Sequence, residues 1–270
     1  MRLKNLIRLV LARGWARVLR WQASPHPQAA GMVLVVSPHA DDETLGCGGL
    51  LATRAEGGWP THVVFLTDSA GTSPDAKVRQ KQAEVRREEA WEALRVLGLK
   101  KEDASCLEAP DGWLDRLEKE TDRRVREGLA ALVQRLAPEA VYLPFLGSHS
   151  TEHEAAHRLS RQVLAECGWK GKLWEYPVWA WWNPPRFVNR SQGKPAPTCL
   201  TLGAKLETKR NALQAHRSQL EPGSKLPKIL GRICLGRWEF FFPVPEPPGL
   251  RPGKAEAHNP SPASELKTQP

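Results

Sequence analysis

Residues 32–43 read MVLVVSPHADDE, and this stretch predicts both the fold class and the place of a site. Residues 32–36 form a continuous apolar run, which is typical of a strand buried on both faces of a parallel sheet. In an open parallel sheet, ligands bind beyond the carboxyl ends of the strands. His39, Asp41 and Asp42 follow this strand directly, so we expect them to lie at such a site.

Outward from this stretch, strand-like and helix-like segments alternate along the chain. Apolar runs predict further strands over 61–66, 140–144 and 173–179. Helical spacing predicts helices over 46–54, 76–97, 122–136, 151–166 and 204–218. We therefore predict one α/β domain over residues 32–242, with a Rossmann-like, doubly wound, mainly parallel sheet flanked by helices on both faces.

The two ends of the chain differ from this domain. Residues 1–21 carry apolar side chains at helical spacing with most arginines on the other side, which predicts a basic amphipathic helix. Residues 22–31, QASPHPQAAG, are typical of a linker. Residues 243–270 contain eight prolines among small polar residues, so we predict a Pro-rich disordered tail.

The net charge of +9 is concentrated at the N-terminus. Residues 1–30 hold six basic and no acidic residues, whereas the rest of the chain holds 33 basic and 30 acidic residues. This distribution argues against a nucleic-acid groove, so we expect no nucleic-acid partner. The helix over 1–21 either lies on an anionic membrane surface or docks on its own domain, and the sequence leaves both interpretations open.

The sequence also bears on the compartment. No apolar run reaches the roughly 18–20 residues that a transmembrane helix needs. Arg8 and Arg13 interrupt the N-terminal apolar positions, unlike a secretory signal. The five cysteines are scattered without C-x-x-C spacing, which is typical of reduced thiols. We expect a cytoplasmic protein, with peripheral contact on the inner face of the membrane if the N-terminal helix binds lipid.

The turn after the first strand has the composition of a metal site. His39 and Asp42, at H-x-x-D spacing on a strand-to-helix turn, can point at one ion, with Asp41 beside it. Zinc takes imidazole and carboxylate ligands, and a neighbouring free carboxylate can act as a base toward its bound water. The structural alternative is an acidic helix N-terminus.

A second strand end supplies more histidines. His149, His153 and His157 follow the strand over 140–144, and parallel neighbours bring such ends together. Residues 153–157 also spell H-E-x-x-H, the helix motif of zinc proteases, with Glu154 as the base. That alternative leaves the turn at 39–42 unexplained.

These motifs, taken in order, resemble one known family. The turn P-H-A-D-D-E is followed by VFLTD at 64–68, R-x-x-E-A at 86–90 and P-D-G at 110–112. After the histidines at 149–157 comes K-x-x-A-L-x-x-H-x-S-Q at 209–219. Over residues 32–242 the chain resembles the zinc-dependent N-acetylglucosaminyl deacetylases called PIG-L or LmbE-like.

The resemblance implies roles for individual residues. It implies His39, Asp42 and His153 as ligands of Zn2+, although such a site also suits other divalent metals, and Asp41 as the general base. The family's second histidine aligns with Ser150, and His149 stands one place earlier; we favour His149 as the second catalytic residue.

Four further residues receive roles with ordinary structural alternatives. Glu152, beside a ligand, is expected to support the metal site from outside. Arg86, Asp111 and His216 are expected to contact substrate, although ion pairing, a Pro-Asp-Gly turn and a helix cap would also explain them.

The function implied is hydrolysis of the N-acetyl group of an N-acetylglucosamine-type sugar. Five tryptophans within 169–182 suggest an aromatic wall of the substrate cleft. Together with the basic N-terminal helix, they suggest a lipid-linked amino sugar, such as a glycolipid or lipopolysaccharide precursor, as the substrate. The alternatives are a zinc amidase acting on another N-acyl small molecule and a non-catalytic, membrane-associated sugar-binding homologue.

Overall fold

The computed structural model describes residues 3–148, 150–221 and 226–245. Its helices are α1 (Leu3–Gln22), α2 (Asp42–Glu56), α3 (Ala76–Val96), α4 (Lys119–Leu136), α5 (Thr151–Glu166), α6 (Pro184–Ser191), α7 (Lys205–Ala215), α8 (Arg217–Leu220) and α9 (Lys228–Cys234). Its strands are β1 (Ser24–Pro25), β2 (Val33–Ser37), β3 (Thr61–Thr67), β4 (Ala104–Ala109), β5 (Ala140–Pro144), β6 (Lys172–Tyr176), β7 (Thr198–Thr201) and β8 (Trp238–Pro243). Short 3-10 turns cover Lys101–Asp103 and Trp179–Trp182.

The described strands form one sheet in the order β1-β7-β8-β6-β5-β2-β3-β4. The pairs β2–β3, β2–β5, β3–β4 and β5–β6 are parallel, whereas β8 runs antiparallel to both β6 and β7. The predicted fold class is therefore confirmed. Because β2, β3 and β5 are parallel neighbours, the turns that follow them meet at one edge.

The central position of β2 in the sheet explains why its sequence is continuously apolar. Val33 and Val35 pack into the core between the sheet and α2, α3 and α7. Leu34 and Val36 point to the opposite face and pack with α4 and α5. A central strand with helices on both sides has no face left for solvent, so every position along it is apolar.

The N-terminal helix docks on the domain through one side. Leu9, Ala12 and Leu19 are buried against the body. The segment expected as a linker contributes the short strand β1, which pairs in parallel with β7. His26, directly after it, is buried and bonded to the hydroxyls of Thr198 and Tyr142, so this part of the linker is a docked element.

Two points concern the other expected segments. Strand β8 extends through Pro243, one residue into the segment assigned to the tail, because it pairs with Trp174 of β6. The rest of the expected tail, from residue 246 on, lies outside the described residues. Among the helices that are described, none has the length and apolarity to cross a membrane.

The tryptophan-rich turn packs differently from the expected aromatic wall. Trp181 is buried, with its ring 4.7 Å from that of Phe187. Arg8 of α1 lies over the Trp182 ring at 4.0 Å. These indoles join α1 to the sheet, so the arrangement gives no support to the substrate wall expected from composition.

Candidate metal centre

Hydrogen bonds from the start of α2 and from the end of β3 hold the turn after β2 in place. The Ser37 hydroxyl donates to the carbonyl of His39 at 2.7 Å and accepts from the Glu43 backbone N–H at 3.1 Å. The hydroxyl of Thr67 donates to the Pro38 carbonyl at 2.8 Å, and the Ala40 N–H donates to the Ser69 hydroxyl at 2.8 Å. The VFLTD segment of β3 therefore fixes the loop that carries His39.

Three side chains converge where this turn meets α5. Nδ1 of His39 and Nε2 of His153 each lie 3.1 Å from the same oxygen of Asp42, Oδ2. One ligand atom of each of the three residues lies within 4.8 Å of the other two. Donors that share one tetrahedral zinc at 2.0–2.1 Å stand about 3.3 Å apart. The three residues expected as metal ligands thus have the spacing of ligands of a single ion.

His153 provides a test of whether these residues fit a metal. Its side chain is fully buried, and among the described residues neither ring nitrogen has a hydrogen-bond partner. The contact with Asp42 is short, but its direction is not that of a hydrogen bond. A buried imidazole whose nitrogens make no well-aligned hydrogen bond is costly unless a lone pair binds something else. Two imidazoles and a carboxylate form a suitable donor set for zinc and similar divalent ions.

The other nitrogen of His39 faces two further carboxylates. Its Nε2 lies 3.4 Å from Asp111 and 3.5 Å from Glu152. Glu152 is itself held by the backbone N–H groups of Gly112 and Leu114, at 3.2 and 2.9 Å. Carboxylates at this place fix the ring orientation and tautomer of a ligating histidine. Glu152 and Asp111 therefore both lie beside His39, and the supporting role expected of Glu152 stays a prediction.

Burial and charge shift the pKa values of this cluster in opposite directions. Burial alone would lower the pKa of His39, but Asp111, Asp42 and Glu152 outweigh it and raise the pKa well above its usual value. Burial alone would raise the pKa of Asp42, but His153 and His39 lower it. Burial would likewise raise the pKa of Asp111, and His39 holds it at about 2.

Asp41 differs from its neighbour Asp42. It is buried, and burial followed by the charge of Asp42 raises its pKa well above the ordinary value. Its φ angle is +140°, which a non-glycine residue rarely adopts. Strain of this kind is kept where the surroundings enforce it, commonly at functional sites. A carboxyl with a raised pKa beside a candidate cation site has the chemistry of a group that can accept a proton and return it.

Arg86 and His216 lie around the site rather than on its open side. Arg86 donates to the Ser69 carbonyl at 2.7 Å and lies 3.8 Å from Asp111, so it supports the loop and that carboxylate. His216 is fully buried, with Nε2 3.4 Å from the Thr44 hydroxyl. The side chain of His216 has no exposed surface, and its expected substrate contact stays a prediction.

Two further histidines lie near His153 in the sequence, His149 and His157. His149 lies outside the described residues. Ser150 is the N-cap of α5, and its hydroxyl accepts from the His153 N–H at 3.4 Å. His157 is buried, with Nδ1 3.0 Å from the Pro144 carbonyl, and burial lowers its pKa to about 4. Among the described residues no group of candidate metal ligands includes His157, so the H-E-x-x-H alternative finds no support there.

Two residues that support the site were not singled out from the sequence. Lys209 and Glu239 form a fully buried ion pair of 2.7 Å against α2. Lys209 also donates to the Leu45 carbonyl at 2.8 Å, and Glu239 accepts from the N–H groups of Gly49 and Leu50 at 2.7 and 2.8 Å. The pair thus clamps the helix that begins at Asp42. The lysine of the K-x-x-A-L pattern in α7 was the sequence feature that could have identified this ion pair.

Gly46 permits a close approach on the same helix. A Cβ at this position would overlap the ring of Tyr176. The Tyr176 hydroxyl donates to the Val36 carbonyl at 2.8 Å, so the ring reaches under α2 to the end of β2. Gly46 therefore allows this close packing of α2 on the sheet.

The fold and this cluster define a class: an α/β protein with a candidate metal site on the carboxyl edge of a parallel sheet. Residues 34–164 match the family model PIG-L, described as GlcNAc-PI de-N-acetylase. The chain carries a PIG-L domain over these residues, which confirms the family that the motifs resemble.

Solved structures share the fold over most of the chain. N,N'-diacetylchitobiose deacetylase from Pyrococcus horikoshii is 23% identical with a TM-score of 0.60, covering 80% of this chain and 84% of that one. The conserved protein TT1542 from Thermus thermophilus is 28% identical with a TM-score of 0.55, covering 81% and 98%. GalB, the 4-carboxy-2-hydroxymuconate hydratase from Pseudomonas putida, is 23% identical with a TM-score of 0.56, covering 76% and 82%. The same fold therefore occurs with two reactions, and only the site can decide between them.

Proposed function

We propose that this protein is a zinc-dependent N-deacetylase of an N-acetylglucosamine-type sugar. The observation that carries the proposal is the convergence of His39, Asp42 and His153, with both ring nitrogens of His153 lacking hydrogen-bond partners among the described residues. The PIG-L match over residues 34–164 supports the deacetylase class.

The proposed ligands of the ion are Nδ1 of His39, Oδ2 of Asp42 and Nε2 of His153. A divalent cation held there would polarise the acyl carbonyl and lower the pKa of a bound water. Asp111 and Glu152 lie 3.4 and 3.5 Å from Nε2 of His39, and they would leave Nδ1 free to bind the cation. The buried carboxylate of Asp42 adds negative charge and favours a cation over a neutral ligand.

Asp41 is the proposed proton carrier. Its carboxylate accepts the proton of the attacking water as the C–O bond forms, and then delivers it to the amide nitrogen as the C–N bond breaks. Asp41 is buried directly beside the three candidate ligands, so its carboxyl is placed to take this proton and to return it. Acetate and the free amino sugar are the products. We assign His149 to the stabilisation of the developing oxyanion or to proton donation, since Ser150 already caps α5.

The sugar side of the substrate is proposed from the surroundings of Asp111. This residue borders a cavity of about 610 Å3 together with Trp113, Arg116 and Arg79. Trp113 is 51% exposed, and an exposed indole can stack on a sugar ring. A glycolipid or lipopolysaccharide precursor remains our preferred substrate because the basic arm is suited to an anionic membrane, and we propose a cytoplasmic enzyme working at its inner face.

Metal-loaded protein incubated with a panel of N-acetylhexosamine conjugates tests this function. We expect mass spectrometry to detect loss of one acetyl group, with equal release of acetate. Chelation should abolish the reaction, and added Zn2+ should restore it.

Asp41→Asn and Arg123→Gln are the matched variants. We expect Asp41→Asn to keep stoichiometric zinc and to lose at least about 100-fold in rate, the usual contribution of a general base. Arg123, on the exposed surface of α4, should be neutral. Acetate release that survives in Asp41→Asn would refute the mechanism, and bound zinc without turnover of any conjugate would favour a sugar-binding homologue.

A further inference from the structure

A second cavity lies between α1 and the segment that connects α9 to β8, away from the Asp111 side of the metal cluster. Its volume is about 500 Å3. Arg13 and Arg17 line it from α1, and Arg232 and Arg237 line it from the opposite wall. Its floor includes Leu45 and Gly46 of α2, one turn beyond Asp42. Nothing in the deacetylase chemistry uses this space.

The charge in this cavity is unbalanced. Glu239 is the only acidic lining residue, and it is already paired with Lys209 at 2.7 Å. Among the described residues, Arg13, Arg17 and Arg237 form no ion pair. Arginines that face one another across a concave surface attract an anion with several oxygens, because each guanidinium can donate two parallel hydrogen bonds. A phosphate group has the matching charge and geometry.

The outer face of α1 indicates where the phosphate comes from. Leu3, Ile7, Val10, Val18 and Trp21 recur along this helix and are exposed, Val10 by 60% and Trp21 by 88%. This stripe lies opposite the buried residues Leu9, Ala12 and Leu19, so the domain does not cover it. A helix with an exposed apolar stripe, basic flanks and no acidic residue is suited to the surface of an anionic bilayer.

The stripe and the cavity adjoin each other. Arg13 and Arg17 follow Val10 by three and seven residues, so they lie along one flank of the stripe and line the cavity at the same time. A lipid whose acyl chains meet the stripe would therefore present its headgroup to the arginines.

We propose that this cavity binds the phosphate headgroup of an anionic lipid while the outer apolar face of α1 lies on the membrane. The site does not depend on the deacetylase assignment. It orients the domain on the bilayer through two elements, α1 and the α9–β8 segment, instead of through a tethering helix alone.

Calorimetric titration with short-chain phosphatidylglycerol below its micelle concentration tests the site without a bilayer. We expect saturable binding of one lipid per chain. Arg17→Gln with Arg237→Gln, one from each wall, should weaken it at least about 100-fold, since a hydrogen bond from a guanidinium to an anionic phosphate contributes more than about ten-fold in affinity. Arg95→Gln with Arg123→Gln removes the same charge from exposed surfaces of α3 and α4 and should change it less than two-fold.

Cosedimentation with vesicles tests the membrane. Full-length protein should bind vesicles of phosphatidylglycerol and phosphatidylcholine, and it should not bind phosphatidylcholine alone. Val10→Ser with Val18→Ser should weaken vesicle binding about ten-fold or more, because these side chains contact the acyl region of the bilayer.

Four results would overturn the proposal. Equal binding to neutral and anionic vesicles would show that the protein does not recognise an anionic headgroup. An equal loss of affinity in the Arg95/Arg123 control would show that the cavity is not the binding site. Inorganic phosphate binding without vesicle binding assigns the cavity to free phosphate. A dimer that dissociates in the Val10/Val18 variant, with no lipid titration, assigns the apolar face to a second copy.

Discussion

Replacing Lys209 by methionine removes the cation from a fully buried ion pair without changing the length of the side chain much. Lys209 and Glu239 are 1% and 2% exposed, and their charged atoms lie 2.7 Å apart. After the change, Glu239 keeps its bonds from the N–H groups of Gly49 and Leu50, but its charge has no counter-ion. The Leu45 carbonyl also loses its lysine donor.

The expected cost follows from this geometry. Breaking a buried pair by removing one partner costs about 3–5 kcal/mol, because it leaves an uncompensated charge out of water. For a chain of this size that corresponds to a decrease in Tm on the order of 10 °C. Adding Glu239→Gln removes the stranded charge, but the single amide oxygen accepts from only one of the two N–H groups that now bond to separate oxygens, so the double variant should regain only about 1 kcal/mol.

Urea unfolding at constant m-value measures these free energies. Lys205→Met is the matched control, because Lys205 lies one turn earlier on the same helix and pairs with the exposed Glu56. We expect this control to lose less than about 1 kcal/mol. A loss below about 1 kcal/mol in Lys209→Met, or a double variant less stable than Lys209→Met alone, would refute this assignment of the buried pair.

Three further predictions concern pH, metal binding and packing. Burial followed by the charge of Arg54 lowers the pKa of His26 to about 3, whereas the unfolded value is about 6.5. The unfolded chain therefore binds one more proton between these values, so His26 should make stability fall by about 1.4 kcal/mol per pH unit as the pH drops from 6.5 toward 3. Urea unfolding at several pH values should show a smaller dependence of the unfolding free energy on pH in His26→Gln. An unchanged dependence would show that other groups cause the loss of stability at low pH. For metal binding, His153→Ala should lose zinc in a direct titration with the ion, whereas His157→Ala should keep it; the opposite result would restore the H-E-x-x-H interpretation. For packing, Gly46→Ala should destabilise the fold by about 1–3 kcal/mol because its methyl group overlaps Tyr176. Thermal unfolding measures this, and Gly14→Ala, with open space around its Cβ, is the control expected to be neutral or stabilising.

Strongly patterned elements were predictable from the sequence almost to the residue. Strand β5 and helix α5 have the predicted bounds, because a short apolar run and a capped amphipathic repeat are local signals. Strand β4 was missed because its residues are mostly half-buried at the edge of the sheet and carry no clear period. Strand β8 was missed because its place, antiparallel between β6 and β7, arises from long-range pairing.

The candidate site, too, was only partly predictable from the sequence. The H-x-x-D spacing and the later histidines are visible along the chain, so His39, Asp42 and His153 were expected together. The contact of Asp111 and Glu152 with the far nitrogen of His39 was visible only once β4 and α5 were in place. His216 aligned with a family motif, yet it is buried behind α2.

By itself, the sequence determined the alternation of strands and helices, the two turns that carry metal-binding side chains and the basic character of the N-terminal arm. Each of these depends on residues close together in the chain, whose spacing reflects a helical or strand period. Tertiary structure decided which carboxylates support His39, which side of α1 is exposed and where four arginines enclose a cavity. Those outcomes depend on packing between distant segments, and local spacing carries no information about which distant segments pack together.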